Sequence, residues 1–488
     1  VNQPIARLFL VVLVMFGLLV AFTSRWAIFD ASALKANPDN ARPGLEQQYV
    51  QRGEIVADNQ TTVLALSARQ PDGIYERTYR FGELFAAPIG YYDPKNGRAG
   101  LEAYRNATLA GSPPQQSSIA DQLSGKRTSG DEVVTTLDAH AQQVAYQALA
   151  GRAGAVVALV PSTGAIRVFA DSPTYDPNQV KSHAAFEALL HDGAGTPLLD
   201  RVTQAQYAPG STFKVVTAIA AIDTGRYTPE SIINGNSPII VSGQPLANDG
   251  GTSYGDVTMS DALTNSINTV YAQIALKVGA ATLQTYMDRL GFYSKPPIDL
   301  PSDEVAESGV RYPGRSGYLP LSDGADIGRV GIGEGGLEVT PLQMAMVASA
   351  VANGGRLMAP HLTAAIVNPD GQTVQTIAPR LYSTVMKPST AALVGSMMDN
   401  VVNDGGTGTA AAIAGVKVAG KTGTAQDCTN PAVAACALSQ VWFIAYAPSV
   451  HPTIAIAVTL EHQNGFGGTI AAPIAKQVLE ALGVGATP

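Results

Sequence analysis

Ser211-Thr-Phe-Lys214 sets a hydroxyl and an amine three residues apart, a spacing that puts both on one face of a helix. Tyr207-Ala-Pro-Gly210 comes just before, so Pro209 and Gly210 mark a turn and Ser211 is expected to open a helix running through Ile222. A helix amino terminus favours developing negative charge. Val215, Val216, Ile219 and Ile222 would bury Lys214, and burial disfavours the charged amine, which makes the lysine a usable base for the serine hydroxyl. That chemistry is nucleophilic catalysis by the Ser211 hydroxyl. The bland alternative is an ordinary helix start with a surface lysine, and this spacing alone is a frequent accident.

Two further groups follow in the chain. Ser266-Ile267-Asn268 lies within a helical apolar segment and offers a second hydroxyl, able to pass a proton, and a carboxamide, able to hold a substrate amide. Lys421-Thr422-Gly423-Thr424 follows the strand-like Val416-Lys417-Val418, so an ammonium, a hydroxyl and a glycine that permits close backbone approach fall on a strand edge where an extended peptide can pair. The stretch Gly415 to Thr422 also fits the nucleotide-binding pattern G-x-x-x-x-G-K-[ST]. That pattern requires a strand before the glycines and a helix after them. Here the spacer itself reads as strand and a polar loop follows, so the match is expected to be a decoy.

The elements that must position these groups are readable in outline. Ala155 onward reads AVVALV, the turn PSTG, then AIRVFA, a hairpin of two strands. The middle of the chain is helical in pattern, with STFKVVTAIAAI, MSDALTNSINTVYAQIALKVG and TPLQMAMVASAVANGG, the last closed by Gly354 and Gly355. VKVAGKTGTA, VWFIAYAP and TIAIAVTLE read as strands again, and AAPIAKQVLEALG as a closing helix. Both ends of one domain are thus expected to complete a single antiparallel sheet. Residues from about 31 to 140 are polar and turn-rich, consistent with a small extended, β-rich domain ahead of it.

A chain of 488 residues exceeds what one core usually holds, so two domains are expected. With 46% hydrophobic and 14% charged residues it must fold, and a formal net charge of −8 without a basic run argues against nucleic acid as a partner. Leu8 to Ser24 is uncharged and mostly apolar between Arg7 and Arg25, near the length of a membrane span, and no convincing small-x-small cleavage site comes directly after it. The expectation is an uncleaved anchor over residues 1–30 with a short cytoplasmic start, oriented by Arg7 so that the rest lies outside the cytoplasm. The two cysteines, Cys428 and Cys436, are too few for a disulfide framework or a zinc site. In an oxidising compartment they can close a short loop as a disulfide.

Taken in order, SxxK, SxN and KTG resemble the active-serine penicillin-recognising enzymes, which include penicillin-binding proteins and serine β-lactamases. Further matches are Arg52-Gly-Glu-Ile55, Gly100-Leu-Glu102, Thr135-Thr-Leu-Asp138, Ser172-Pro-Thr-Tyr-Asp-Pro-Asn178, Thr340-Pro-Leu-Gln343 and Trp442-Phe443. The Arg-Gly-x-Ile and Thr-Thr-Leu-Asp blocks are similar to the amino-terminal domain of class B penicillin-binding proteins, and the short amino-terminal region resembles the penicillin-binding protein A group of the actinobacteria. The sequence departs from the pattern twice: the expected Gly-Gln-Gly turn reads Gly333-Glu334-Gly335, and Arg167 interrupts the usually apolar second strand.

The resemblance implies an α+β fold, an antiparallel sheet flanked by helices with an inserted helical subdomain over residues 141–488, after a non-catalytic pedestal or dimerisation-like domain over 31–140. It implies a D,D-transpeptidase in which Ser211 attacks the penultimate D-Ala carbonyl of a peptidoglycan stem peptide and Lys214 takes its proton. Ser266 would pass a proton to the leaving D-Ala, Asn268 would hold the donor's amide, and Lys421 with Thr422 would meet the terminal carboxylate or that of a β-lactam antibiotic. Gly423 would allow close approach, and the amides of Ser211 and Thr424 would form the oxyanion hole. No metal or cofactor is implied. Glycan polymerisation would belong to a SEDS-type membrane partner, since about 110 residues ahead of Ala155 leave little room for a glycosyltransferase domain. The alternatives are a D,D-carboxypeptidase, a serine β-lactamase, and a non-catalytic β-lactam sensor or division scaffold.

Overall fold

The structure, a computed structural model, describes residues 3–26, 47–111, 129–193, 195–312, 314–426 and 438–485. Cys428 and Cys436, and with them the expected disulfide, lie outside the described residues. Gln3–Ser24 forms one helix of 22 residues with mean hydropathy 2.7 and no buried side chain, the single described helix long and apolar enough to cross a membrane. At 1.5 Å per residue it spans about 33 Å, against a hydrocarbon core of about 30 Å. The helix extends past the uncharged run to include Arg7.

The catalytic-motif segment is built on a five-stranded antiparallel sheet in the order Ala419–Gln426, Ser439–Ala447, Ile454–Gln463, Gly154–Leu159, Ile166–Ser172. The expected closure is present: the amino-terminal hairpin pairs with strands from the far end of the chain. Alternation splits the sheet into two apolar faces. One, with Val157, Phe169, Trp442, Ile444 and Ala457, joins a core with the helices Lys214–Asp223, Asn268–Val278, Pro341–Ala352 and Pro388–Asn403. The other, with Val156, Val168, Phe443, Ile456 and Val458, packs on Ala139–Leu149 and the closing helix Gly467–Ala481. Ala419–Gln426 is an edge strand, so one side of its backbone is open to an added strand. The Val416–Val418 segment, expected to be strand, makes only an isolated bridge at Val416, and the regular strand starts at Ala419.

A second sheet of six strands runs Thr373–Thr376, Thr363–Val367, Glu132–Thr135, Ile55–Val56, Val63–Arg69, Tyr75–Tyr79. Its first two strands come from beyond the Pro341–Ala352 helix, so the later part of the chain contributes to the amino-terminal layer. Periodicity within 31–140 carries no trace of partners more than 200 residues away. Arg167, anomalous in sequence, has a local reason: its guanidinium reaches Asp58 Oδ2 at 2.6 Å and Asp138 Oδ2 at 3.0 Å, tying the catalytic sheet to the amino-terminal domain.

The Arg-Gly-x-Ile and Gly-Leu-Glu blocks meet in that domain. Arg52 Nε lies 2.6 Å and Arg77 Nε 2.5 Å from opposite oxygens of Glu102, which is fully buried. Burial alone would raise the Glu102 pKa, but the two guanidiniums together outweigh it and hold the carboxyl below its ordinary range. Glu102→Ala strands two buried guanidiniums, and a loss of about 3–5 kcal/mol is expected. Chemical denaturation of the purified protein checks this; a loss below about 1 kcal/mol would mean water already compensates the arginines.

Candidate active site

Pro209 turns the chain into a short 3-10 segment, Gly210–Phe213, and the α-helix proper begins at Lys214. Ser211 therefore sits in the tight turn that feeds the helix, not in its first α-turn as expected from sequence. The turn is held from three sides: Trp442 Nε1 donates to Ala208 O at 3.0 Å, Gly210 N donates to Gly333 O at 3.0 Å, and Tyr207 pairs with Val339 through both backbone groups. Gly423 completes the seat. A Cβ there would lie 2.7 Å from Pro209 O and 2.9 Å from Thr212 Cγ2, so only glycine lets the edge strand lie this close to the Ser211 turn.

Ser266-Ile-Asn268 lies between two helices, Met259–Thr264 and Asn268–Val278, where an unbroken helix was expected. Ser266 carries φ +58°, in the left-handed region, and so leaves the helical path. The turn aims its polar groups at a buried lysine. Lys214 Nζ donates to Ser266 O at 2.6 Å and to Asn268 Oδ1 at 2.7 Å, with Ser266 Oγ at 3.3 Å. From the other side Lys421 Nζ donates to Ser266 Oγ at 2.9 Å and to Thr422 O at 2.9 Å. The Ser266 hydroxyl thus bridges two lysines that are each fully buried.

The electrostatics follow from that packing. Burial first, then repulsion from Lys421, pushes the Lys214 pKa well below the ordinary lysine value, while Glu334 and Asp249 pull it part of the way back. Burial brings Lys421 down to about 7. Lys421 is held inside the protein against Ser266 from within the regular strand Ala419–Gln426, whereas a phosphate-binding lysine sits where a glycine loop opens a helix.

Ser211, Ser266, Asn268, Thr422 and Thr424 line one cavity of about 760 Å³. Thr422 Oγ1 sits 2.7 Å from Thr407 Oγ1, and the Gly467 amide donates to Thr424 Oγ1 at 3.2 Å, so the edge strand's hydroxyls face a wall built by the 407 loop and the start of the closing helix. The arrangement brings together a half-buried serine, a buried amine able to exist uncharged, a bridging hydroxyl, a second amine, and an open strand edge. Lys214, Lys421 and Gly423 complete the eight sequence-selected residues around it. Sequence reading gave no part in the site to Thr407, Phe466, Asp249, Arg329 or Glu334, which line the same cavity. For Glu334 a signal existed, the departure at Gly333-Glu334-Gly335; for the others it did not.

Residues 154–480 match the penicillin binding protein transpeptidase domain family, and residues 52–133 match the penicillin binding protein A dimerisation domain. Over 98% of its length the chain is 33% identical to the peptidoglycan D,D-transpeptidase PbpA of Mycolicibacterium smegmatis, covering 99% of that protein, and a Mycobacterium tuberculosis counterpart gives the same identity and coverage. Penicillin-binding protein A from M. tuberculosis, solved as its penicillin G acyl-enzyme, superposes with TM-score 0.79 at 32% identity, covering 89% of this chain and 99% of that one. A D,D-transpeptidase domain from Eggerthella lenta gives TM-score 0.76 at 30% identity over 89% and 98% of the two chains.

Proposed function

The chain belongs to the class B penicillin-binding proteins, related to the actinobacterial penicillin-binding protein A group, and from that premise we propose that it cross-links peptidoglycan as a serine D,D-transpeptidase. The observation that carries the reading is the Ser266 hydroxyl held between two buried lysines, in the cavity that Ser211 lines. Ser211 Oγ attacks the penultimate D-Ala carbonyl of a donor stem peptide and its proton goes to neutral Lys214. As the tetrahedral intermediate collapses, Lys214 returns a proton through Ser266 to the leaving D-Ala amine. Lys421 and Thr422 bind the donor's terminal carboxylate, Asn268 its amide, and the backbone amides of Ser211 and Thr424 the developing oxyanion. The donor backbone adds as a strand along the Ala419–Gln426 edge, where Gly423 keeps the approach close. An amine from a neighbouring stem peptide resolves the ester, so the balance is one amide made for one amide broken. A β-lactam enters by the same route and stays, because its acyl group keeps the leaving nitrogen tethered in the acceptor's place.

The proposed division is an anchor over 1–30, a non-catalytic domain over 31–140 to which residues 363–376 add two strands, and the transpeptidase over 141–488. With the Gln3–Ser24 helix crossing the membrane once and Arg7 on the cytoplasmic side, the catalytic domain faces the wall. Glycan polymerisation then falls to a membrane partner of SEDS type.

The testing experiment is decay of the penicilloyl-protein mass after excess drug is removed. Neither carboxylate of the cavity wall, Asp249 or Glu334, is hydrogen-bonded to Lys214 or Ser266, so no water-activating base is wired into the serine's network among the described residues. The acyl-enzyme is expected to last minutes or longer, on the order of 10³-fold or more beyond what a dedicated base catalyst would allow. Complete decay within seconds would place the chain with the β-lactamases.

A further inference from the structure

The cavity is uneven in charge. Among the described residues, the wall formed by Thr407, Ser439, Phe466, Gly468 and Thr469 carries no ionisable group, whereas the facing wall carries Asp249, Glu334 and one cation, Arg329. Glu334 occupies the turn that departs from the family pattern. Its position next to the nucleophile is fixed by the backbone, since Gly210 N donates to Gly333 O at 3.0 Å and Thr217 Oγ1 to Gly331 O at 2.7 Å. Arg329 neutralises it only loosely: Nη1 stands 3.7 Å from the Glu334 carboxylate, while Nε is 3.4 Å from Asp326 and Nη2 donates to Pro245 O at 3.1 Å. Glu334 accepts no side-chain hydrogen bond among the described residues and keeps 43% of its side chain accessible. A carboxylate in a substrate cavity, one residue from the backbone contact that holds the serine turn and without a committed partner, is arranged to meet a cation that arrives from outside.

We infer that Glu334 is a positioning residue for the second substrate, drawing the ammonium of the acceptor stem peptide to the Ser211 ester. The inference rests on the transpeptidase reading above and adds where the acceptor docks. The donor lies along the edge strand and places its carboxylate at Lys421 and Thr422, which leaves the Glu334 wall free while the acyl-enzyme exists. A cationic amine held there lies within the electrostatic reach of Lys214, whose amine returns to the neutral form once the leaving group has taken its proton. Lys214 can then accept the proton that the acceptor must lose before attack. The amine nitrogen bonds the acyl carbon, the ester C–O bond breaks, the amine's second proton passes to the Ser211 oxygen, and Lys214 releases to solvent the proton it took from the ammonium. A glutamine at this turn would offer a hydrogen bond but no charge.

The test compares wild type with Glu334→Gln, both as the full chain, using a thioester analogue of the donor and a stem-peptide fragment with one free side-chain amine as acceptor. Aminolysis and hydrolysis products are counted together. The acceptor KM is expected to rise about 10-fold in Glu334→Gln, with the aminolysis-to-hydrolysis ratio falling to match, the change that a loss of about 1.4 kcal/mol from a partly screened charge pair gives. Glu334→Asp is expected to recover part of the loss. Acylation persists in Glu334→Gln, with its pH profile moved to lower pH, because the carboxylate that favours the Lys214 proton is gone. Wild-type aminolysis that Glu334→Gln leaves at the same acceptor KM overturns the inference and leaves the transpeptidase reading standing. A wild type that only hydrolyses the donor at every acceptor concentration overturns both.

Discussion

Ser211→Ala takes no covalent label from penicillin, while the wild type gains the mass of one drug molecule. The expectation comes from how the serine is held. Its turn is fixed by Trp442, Gly333 and Val339, none of which touches the hydroxyl, and the Lys214 bonds go to Ser266 and Asn268. Removing Oγ leaves no buried group without its partner, so stability should move by less than about 1 kcal/mol. The loss of labelling then reports chemistry and not unfolding, and a thermal melt beside the intact-mass measurement keeps the two apart. Ser266 is the natural competitor, because its hydroxyl is also within reach of a lysine. Label found on Ser266 in the Ser211→Ala protein would reverse the roles of the two serines; label retained in full would remove Ser211 from the mechanism.

What the sequence revealed of this site, and what it hid, follows from the range of the interactions. The spacing of Ser211 and Lys214 is a property of one helical turn, and the strand at Lys421 is a property of eight consecutive residues; both were legible. The conformation of Ser266 was not. Its apolar neighbours continue a helical pattern on both sides, and the break at φ +58° answers to Lys214 and Lys421, 52 and 155 residues away. The same applies to Arg167, an oddity within its strand until Asp58 and Asp138 stand beside it. Thr363–Val367 and Thr373–Thr376 were not picked out from the sequence as strands, and pairing register leaves no local mark of the sheet they join. Glu334 is the intermediate case. Its departure from the family turn was visible, and the backbone bond from Gly210 to Gly333 gives it meaning.

Lys214→Ala is expected to lose penicillin acylation nearly as completely as Ser211→Ala, by about 10³-fold or more, because a nucleophile and its base act as a unit. The same logic makes the double variant no worse than either single one. Lys214→Ala also leaves Ser266 O and Asn268 Oδ1 without the donor they share, so a measurable drop in stability accompanies it, unlike Ser211→Ala. The pH profile of acylation separates base from scaffold. Lys214 must be neutral to accept the serine proton, so the rate climbs as pH rises through its pKa. Burial and the Lys421 charge put that rise well below the ordinary lysine range, so the ascending limb comes at lower pH than a solvent-exposed lysine would give. Lys421 must stay protonated to hold the carboxylate; burial sets its pKa at about 7, and the rate constant for the free enzyme falls as pH climbs past it. Lys421→Arg, which cannot lose its proton in this range, should flatten the descending limb and leave the ascending one. An ascending limb that survives in the residual activity of Lys214→Ala would assign the base to another group, and Lys421 is the amine placed to serve through Ser266.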